Sequence, residues 1–236
     1  LSMAEAGADI IDIGAESKRP GAKRVDEGLE CSRIADAVKA LRKELPHFPI
    51  SVDTTRTSAA KAALDEGADI INDVSGLRDE QVARSAAEYG AAFVVMHTRG
   101  TPETMSGLCD YDDLLGEVCS FLKDKASQAE AAGVARDKII LDPGIGFAKN
   151  YAQNLMLLSH CESFKAVGYP LLVGASRKGF IGRATGKETP EERLCGTLAV
   201  TALCCRQGVD IIRVHDVREN KEVVMMTEAV RDAAYV

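Results

Sequence analysis

Three ionisable side chains stand close together at Arg213, His215 and Asp216, directly after an apolar run that ends at Ile212. A buried strand usually ends in turn residues, so this cluster is unusual for a strand end. The guanidinium group presents a planar set of donors that suits phosphate, and a histidine adds a donor that titrates near neutral pH. A salt-bridged strand end is the structural alternative. The pattern predicts a binding site for phosphate or pyrophosphate.

Polar side chains end other apolar runs in the same way. Asp53 and Asp142 each close such a run, and Asn72 lies at the end of a third. If these residues end parallel strands, their two carboxylates and one amide meet in one site at the strand ends. Such a set suits a flat heterocycle with several N–H donors, such as a pterin or a guanine-like ring. Lys178 and Arg213 would lie on the opposite side of that site, where their positive charges would bind a phosphate group. The other polar residues at run ends are Asp12, Glu16, Arg19, Asp73, His97, Arg99, Ser176 and Arg177.

The loop after Asp142 is suited to contact with a ring. Gly144 and Gly146 permit close approach of the backbone, and Phe147 follows them with an aromatic face. A helix N-cap or a surface charge is the plain alternative for any single strand-end residue. Because such residues recur at the end of nearly every run, we expect one shared site.

Seven short runs of apolar and β-branched residues alternate with helical segments along the chain. The runs lack polar alternation, which is typical of strands that are covered on both faces. Strands that alternate with helices, without hairpin signals, should be parallel and joined by right-handed crossovers. The runs span residues 9–14, 50–53, 69–74, 93–97, 139–142, 171–174 and 210–214.

A repeated phrase supports this organisation. Gly-Ala-Asp-Ile-Ile occurs at 7–11 and 67–71, and Gly-Val-Asp-Ile-Ile at 208–212, each with a helix-ending glycine before a strand. Seven strands are one short of a closed (β/α)₈ TIM barrel, so we predict that α/β fold with its first strand absent. The barrel is expected to be a single domain over residues 1–236. A doubly wound open sheet is the alternative, although no Gly-rich dinucleotide turn follows the first strand.

Composition excludes several classes of function. The net charge of −7 disfavours nucleic-acid partners, and no basic block indicates a membrane surface. No apolar run approaches the roughly 18 residues of a membrane span. The seven cysteines form no C-x-x-C pair and no zinc-like spacing, so we expect free thiols and a cytoplasmic protein.

Taken together, the motifs resemble those of the dihydropteroate synthases, of the pterin-binding barrel family. The matching motifs are DIGAESKRPG at 12–21, SVDT at 51–54, INDVSG at 71–76, MHTRGTP at 96–102, LDPGIGF at 141–147, GASRK at 174–178 and RVHD at 213–216. The resemblance implies condensation of 6-hydroxymethyl-7,8-dihydropterin pyrophosphate with p-aminobenzoate, which gives dihydropteroate and pyrophosphate. It also implies Mg²⁺ as cofactor and a homodimer packed through the late helices.

The resemblance also implies a role for individual residues. Asp53, Asp142 and Lys178 would be catalytic. The pterin would be held by Asp53, Asn72, Asp142 and Lys178 in a slot lined by Met96 and Phe147. The pyrophosphate would meet Arg213, His215 and Lys18. The aminobenzoate would lie beside Arg19, Pro20, Ser176, Lys178 and Gly179.

The chain departs from the family pattern at three places. The family's first strand, whose asparagine contacts the metal and the pyrophosphate, is missing, so no metal ligand is assigned in this chain. Lys18 stands where threonine is usual, and Gly179 where serine is common. Two alternative functions are a methyltetrahydrofolate:corrinoid methyltransferase, which needs no pyrophosphate site, and a catalytically inactive pterin-binding relative or truncated fragment.

Overall fold

Seven strands alternate with helices in the computed structural model, which describes residues 1–16 and 25–233. Each strand lies at one of the runs that the sequence indicated, and most are a few residues shorter. The strands are β1 (Ile11–Gly14), β2 (Ile50–Asp53), β3 (Ile70–Asp73), β4 (Ala92–Met96), β5 (Ile139–Asp142), β6 (Leu172–Val173) and β7 (Ile211–Ile212).

The helices cover the outside of the strands. They are α1 (Ser2–Glu5), α2 (Glu27–Glu44), α3 (Thr57–Asp65), α4 (Glu80–Glu88), α5 (Leu114–Ala131), α6 (Tyr151–Ser159), α7 (Cys161–Lys165), α8 (Gly179–Thr185), α9 (Leu194–Arg206) and α10 (Val217–Ala233). Three short 3₁₀ turns lie at Met105–Gly107, Arg136–Lys138 and Pro190–Arg193.

All paired strands are parallel, in the order β1-β2-β3-β4-β5 and β6-β7. A bridge between Leu141 and Leu171 joins β5 to the start of β6. Over residues 1–16 and 25–233, no strand pairs with the outer edge of β1 or of β7. The arrangement is a parallel α/β barrel that is open between β7 and β1, as the count of seven strands predicted.

Alternation along each strand sorts apolar from polar residues inside the barrel. Ile70, Val94, Ile140 and Leu172 form a small inner cluster, separate from the main core between strands and helices. Side chains two residues apart on a strand share a face. Asn72, Met96 and Asp142 therefore lie on the inner face, one layer nearer the carboxyl ends of the strands. The two-residue repeat of the strands thus places a layer of apolar side chains directly below the layer that contains Asn72 and Asp142.

Two further expectations concern the whole chain. None of the described helices is both long and apolar enough to cross a membrane. All seven cysteines lie within the described ranges, and each is a free thiol, as predicted.

Candidate active site

Asp53 and Asn72 end adjacent strands and face each other in the β2–β3 register. Both are buried, with 8% and 5% of their surface exposed. The Asn72 Oδ1 atom is buried and accepts no hydrogen bond within the described part of the chain. A buried acceptor without a donor costs free energy unless a ligand or water satisfies it. This amide oxygen is therefore placed for a donor from outside the protein.

Asp12, on β1, ties this pair to the far side of the barrel. Its Oδ1 accepts a hydrogen bond of 2.7 Å from Ser51 Oγ, and its Oδ2 accepts one of 3.4 Å from Asn72 Nδ2. Arg213 Nε donates to the same Oδ2 at 2.6 Å. Asp12 thus orients both the Asn72 amide and the Arg213 guanidinium.

Asp142 ends β5 and is 7% exposed. Its Oδ1 accepts a 2.7 Å hydrogen bond from the Gly144 amide. Burial raises the pKa of this carboxyl, while Lys178, the Gly144 amide, Lys149 and Arg213 act in the opposite direction. The carboxylate therefore lies in a low-dielectric site with three cations around it, and its charge interacts strongly with a ligand placed there.

Lys178 precedes α8 and reaches across to the loop that follows β5. Its ammonium donates to the carbonyl oxygen of Ile145 and lies 4.9 Å from the centre of the Phe147 ring. Burial lowers the pKa of Lys178 to about 8, while the Asp142 carboxylate opposes that shift. The lysine is thus held between a carbonyl, an aromatic face and a buried carboxylate.

The two glycines of the β5 loop are required by the protein's own packing. Gly144 has a φ of 70°, and a Cβ there would lie 1.9 Å from the His97 carbonyl oxygen. Gly146 has a φ of 82°, and a Cβ there would lie 3.0 Å from Lys178 Cδ. Both positions need glycine, because side chains rarely adopt this backbone region and the space is occupied.

The ends of β6 and β7 meet through Ser176 and His215. Ser176 Oγ accepts a 3.2 Å hydrogen bond from the His215 amide, and His215 Nδ1 lies 3.0 Å from the same oxygen. Arg213 and His215 are exposed, whereas Ser176 is buried. An exposed surface that carries the Arg213 guanidinium and the N–H groups of His215 thus opens beside Lys178.

Several strand-end residues that resembled site residues in the sequence serve the fold instead. The Asp73 carboxylate accepts from the amides of Ser75 and Leu77, so it shapes the turn after β3. Arg177 forms a two-point ion pair with Asp216. Arg99 donates to the Glu117 carboxylate and stacks on the Tyr111 ring at 3.7 Å; His97 is buried against other side chains.

The remaining predicted residues divide into two groups. Met96 is buried at the end of β4, in register with Asp142. Gly179 is exposed at the start of α8, and no atom of the described residues lies within 4 Å of a Cβ built there. Lys18, Arg19 and Pro20 lie outside the described residues.

Sequence reasoning missed Lys149, which is buried beside the site with 8% of its surface exposed. A lysine two residues beyond the LDPGIGF motif would ordinarily be assigned to the surface, because lysines are seldom fully buried. Asp12 was noticed only as one strand-end acid, although it contacts three partners. The one available signal for Asp12 was its place on the polar side of a strand next to Ser51.

A cavity of about 400 Å³ runs from the inner apolar cluster to the open edge of the barrel. Its polar end is lined by Asp12, Asn72, Arg213 and His215. Asp142 and Lys178 do not line it. The cavity therefore lies beside Asp142 and Lys178 without including them, and it opens through the gap between β7 and β1.

Comparison with known proteins shows which family the chain belongs to. The model of the family described as "Pterin binding enzyme" matches residues 1–215. The Synechocystis dihydropteroate synthase is 46% identical over 232 residues, which are 97% of this chain and 79% of that protein. The Escherichia coli K12 dihydropteroate synthase is 41% identical over 98% of this chain and 81% of its own length.

Solved structures show the same likeness. The Yersinia pestis dihydropteroate synthase in a sulfonamide drug complex has a TM-score of 0.94 at 38% identity, over 98% of this chain and 83% of that one. The Thermus thermophilus enzyme in complex with 4-aminobenzoate has a TM-score of 0.90 at 41% identity, over 97% of this chain and 87% of that one.

Fold and site thus define a TIM-barrel enzyme of the pterin-binding class. The relatives named above are all dihydropteroate synthases. Within that class, the chain belongs to the dihydropteroate synthase family, a family of transferases.

Proposed function

We propose that this chain itself condenses 6-hydroxymethyl-7,8-dihydropterin pyrophosphate with p-aminobenzoate. The observation that carries the proposal is the Asn72 Oδ1 atom, which is buried and accepts no hydrogen bond from the described residues. It lies next to Asp53 in the β2–β3 register and in the same polar layer as Asp142. Buried oxygen acceptors match the amino and ring N–H donors of a pterin. Met96 and Phe147 supply apolar surface for its faces, and Lys178 bounds the pocket beside Phe147.

The proposed reaction is a substitution at the methylene carbon of the pterin. The bond from that carbon to the pyrophosphate oxygen breaks, and the electron pair leaves with the pyrophosphate. The aminobenzoate nitrogen forms the new bond and afterwards loses a proton to solvent. Positive charge that develops on the methylene is stabilised by Asp53 and Asp142. The amine needs positioning, and no side chain acts as nucleophile.

Arg213 and His215 receive the pyrophosphate in this proposal. Both are exposed at the end of β7, and each offers N–H donors. Charge-assisted hydrogen bonds to the leaving oxygens become stronger as negative charge accumulates on them. Lys18 is assigned to the same anion, on the basis of the family resemblance alone.

The aminobenzoate is placed beside Ser176, Lys178 and Gly179, with Arg19 and Pro20 on the other side. The exposed Gly179 and the cationic Lys178 support this side of the assignment. A relative of this chain is described in complex with 4-aminobenzoate and another with a sulfonamide drug. A sulfonamide should therefore compete with aminobenzoate here.

Magnesium is proposed as the cofactor that accompanies the pyrophosphate. Among the described residues, no group of three histidine, cysteine or acidic side chains is arranged to hold a metal ion. Mg²⁺ commonly binds through substrate phosphates with few protein ligands. The donor set therefore does not by itself form a metal site, and no residue of this chain is assigned to the metal.

Two properties of the whole chain belong to the same proposal. We propose a homodimer formed through α9 and α10, because Leu203, Met225, Met226 and Val230 expose large apolar surface there. Sedimentation velocity would test it, and a monomer at all concentrations would contradict it. Residues 1–236 are treated as one domain of a cytoplasmic enzyme, which the free thiols support.

A direct assay tests the proposed activity. The 236-residue chain is incubated with the pterin pyrophosphate, p-aminobenzoate and Mg²⁺, and both pyrophosphate and dihydropteroate are measured. Equal amounts of the two products are expected, and their formation should require aminobenzoate. A folded chain that binds the pterin without turnover would instead be an inactive pterin-binding relative.

A further inference from the structure

Lys149 follows the β5 loop and turns its side chain back beneath that loop. Its ammonium contacts three acceptors: the Gly144 carbonyl at 3.1 Å, the Phe147 carbonyl at 2.9 Å and His97 Nδ1 at 2.9 Å. An ammonium group has three donors, so these contacts use them all. A buried lysine with every donor engaged holds its acceptors in fixed positions.

The two carbonyls belong to one tight turn. The Phe147 amide donates to the Gly144 carbonyl at 3.0 Å, which closes the turn. The front of this turn presents the Ile145 carbonyl and the Phe147 ring to Lys178. Lys149 thus binds the turn through the Gly144 and Phe147 carbonyls, while Lys178 contacts the same turn through the Ile145 carbonyl and the Phe147 ring.

His97 fixes the other end of this contact. Burial, with the charges of Lys149 and Arg99, lowers the pKa of His97 to about 3, so the ring is neutral in the working range. When Lys149 is protonated it donates to Nδ1, and the neutral ring then carries its hydrogen on Nε2. The Phe121 ring packs edge-on against it, with 4.8 Å between ring centres. Lys149 therefore links the loop to a rigid residue at the end of β4.

Other side chains within the described ranges bind neighbouring atoms of the loop, and Lys149 is the side chain that binds the Gly144 and Phe147 carbonyls. Asn154 Oδ1 accepts from the Gly146 amide at 2.5 Å, and its Nδ2 donates to the Lys149 carbonyl at 3.2 Å. Tyr111 Oη donates to the Ala148 carbonyl at 2.9 Å. These neutral bonds fix the backbone on either side of the turn, and the ammonium binds both carbonyls of the turn that the Phe147 amide closes.

We propose that Lys149 is a positioning residue for the pterin site, which it serves by holding the Gly144–Phe147 turn in the form that seats Lys178 and Phe147. The inference rests on the proposed function and adds to it a residue that touches no substrate. Its expected effect falls on binding of the ring. Affinity for inorganic pyrophosphate, assigned to Arg213 and His215, should change little.

Neighbouring charges make the position sensitive to substitution. Burial lowers the pKa of Lys149 to about 7; Asp142 raises it, Lys178 and Arg99 lower it, and Cys109 raises it. Removal of the Lys149 charge relieves that burial cost. A neutral side chain of similar length is therefore compatible with folding, while the hydrogen bonds to the turn are lost or kept according to its donors.

Two substitutions separate these effects. Lys149→Met retains length and removes all donors, and Lys149→Gln retains an amide that can donate to the turn. Lys138→Met is the matched control, because Lys138 also donates to a backbone carbonyl, that of Gly90, at the opposite end of β5. Calorimetric titration with 6-hydroxymethylpterin and with inorganic pyrophosphate gives both affinities per folded molecule.

We expect Lys149→Met to weaken pterin binding about tenfold or more and pyrophosphate binding less than twofold. Lys149→Gln should recover part of the pterin affinity, and Lys138→Met should match the parent chain. Equal pterin affinity in the parent and both Lys149 variants would overturn the inference. So would an equal loss for both ligands. If Lys149→Met does not fold, Lys149→Gln decides alone, with a threefold or greater loss of pterin affinity expected. A parent chain that binds no pterin would instead refute the proposed function.

Discussion

Arg213 Nε donates a 2.6 Å hydrogen bond to Asp12 Oδ2, and this bond joins β7 to β1 across the open edge of the barrel. The two residues are 201 positions apart in the sequence. Because the side chain of Arg213 is 44% exposed, solvent screens the pair and its contribution to stability is small. The hydrogen bond instead orients the Arg213 side chain, because it holds the remaining guanidinium nitrogens at the end of β7, beside His215.

Substitution of Arg213 or His215 should therefore weaken the binding of ligands that carry phosphate more than the binding of ligands that lack it. For Arg213→Met and for His215→Ala we expect affinity for the pterin pyrophosphate to fall about tenfold or more, because charge-assisted hydrogen bonds contribute about 1.5–3 kcal/mol. Affinity for 6-hydroxymethylpterin should change less than threefold. Arg84→Met, in an exposed pair with Glu80, is the control. Equal losses for both ligands would place these residues in the ring pocket or in a structural role.

Asp142→Asn should nearly abolish binding of the pterin ring. The amide presents a donor where the proposal requires an acceptor, and it removes a negative charge from a buried site. We expect a loss of tenfold to a hundredfold, measured by calorimetric titration with 6-hydroxymethylpterin. Asp137→Asn, on the exposed turn before β5, serves as the control. Unchanged affinity in the Asp142 variant would show that the ring is held elsewhere.

Affinity for the pterin pyrophosphate should weaken as pH rises through about 8. Lys178 has its pKa lowered to about 8, so its cation is present below that pH and lost above it. Lys178→Arg keeps its charge beyond this range, and its affinity, although lower overall, should not show the same decline. Dissociation constants from pH 6.5 to 9.5 test this, because the substrate's own titration is common to both proteins. Parallel curves would exclude Lys178 as the source.

The lowered pKa of Lys178 should also make the stability of the protein depend on pH. Between about pH 8 and the ordinary lysine pKa of about 10.4, the unfolded chain binds a proton at Lys178 that the folded chain does not. The contribution of this group to the free energy of unfolding therefore rises with pH in that window. Urea unfolding of Lys178→Met should show a smaller rise there, and Lys138→Met should match the parent. An equal rise in both would contradict the assignment.

A buried ion pair beneath the β2 loop should be far more important to stability than the surface pairs. Glu30 accepts from Thr54 Oγ1 at 2.7 Å and from Arg56 at 2.7 Å, and the Glu30 side chain is 1% exposed. Arg56→Met leaves that carboxylate buried without its cation and should cost about 3–5 kcal/mol. Arg84→Met should cost less than about 1 kcal/mol. Urea unfolding at pH 7 gives both values, and similar costs would refute the distinction.

Gly179→Ser should be tolerated by the fold. The position is exposed, and nothing in residues 1–16 and 25–233 lies within 4 Å of a Cβ built there. The free energy of unfolding should therefore change by less than about 0.5 kcal/mol. A serine hydroxyl beside the proposed aminobenzoate site should alter the affinity for p-aminobenzoate. Gly182→Ser is the contrasting variant, because a Cβ there would lie 2.4 Å from the Lys187 carbonyl oxygen. Unchanged affinity for p-aminobenzoate in Gly179→Ser would place that ligand elsewhere.

The seven strands could be predicted because their signals are local. A short β-branched run is a strand candidate wherever it lies, and the glycine of Gly-Ala-Asp-Ile-Ile marks the turn before it. The period of two then places Asn72 on the same face as Ile70, and Asp142 on the same face as Ile140. These facts made the polar layer of Asp53, Asn72 and Asp142 predictable.

The division between site and scaffold could not be predicted in this way. Asp73 and Asn72 are neighbours on one strand, yet the Asp73 carboxylate caps a turn, while the buried Asn72 Oδ1 has no donor among the residues that the structure describes. Arg177 and Lys178 are also neighbours, and one is neutralised by Asp216 while the other reaches Ile145. The choice depends on partners far along the chain, which local patterns do not specify.

The sequence by itself determined the parallel α/β barrel, the end at which polar groups collect and the chemistry that they offer. Only the tertiary structure decided that Asp12 orients Arg213 and that Lys149 is buried behind the β5 loop. Both outcomes depend on contacts between separate strand ends, 201 positions apart for Asp12 and Arg213 and 52 for Lys149 and His97. From the sequence alone a lysine is predicted to lie at the surface, because burial of an ammonium group is unfavourable. Burial becomes possible only when folding brings hydrogen-bond acceptors around it, and local sequence does not show those acceptors.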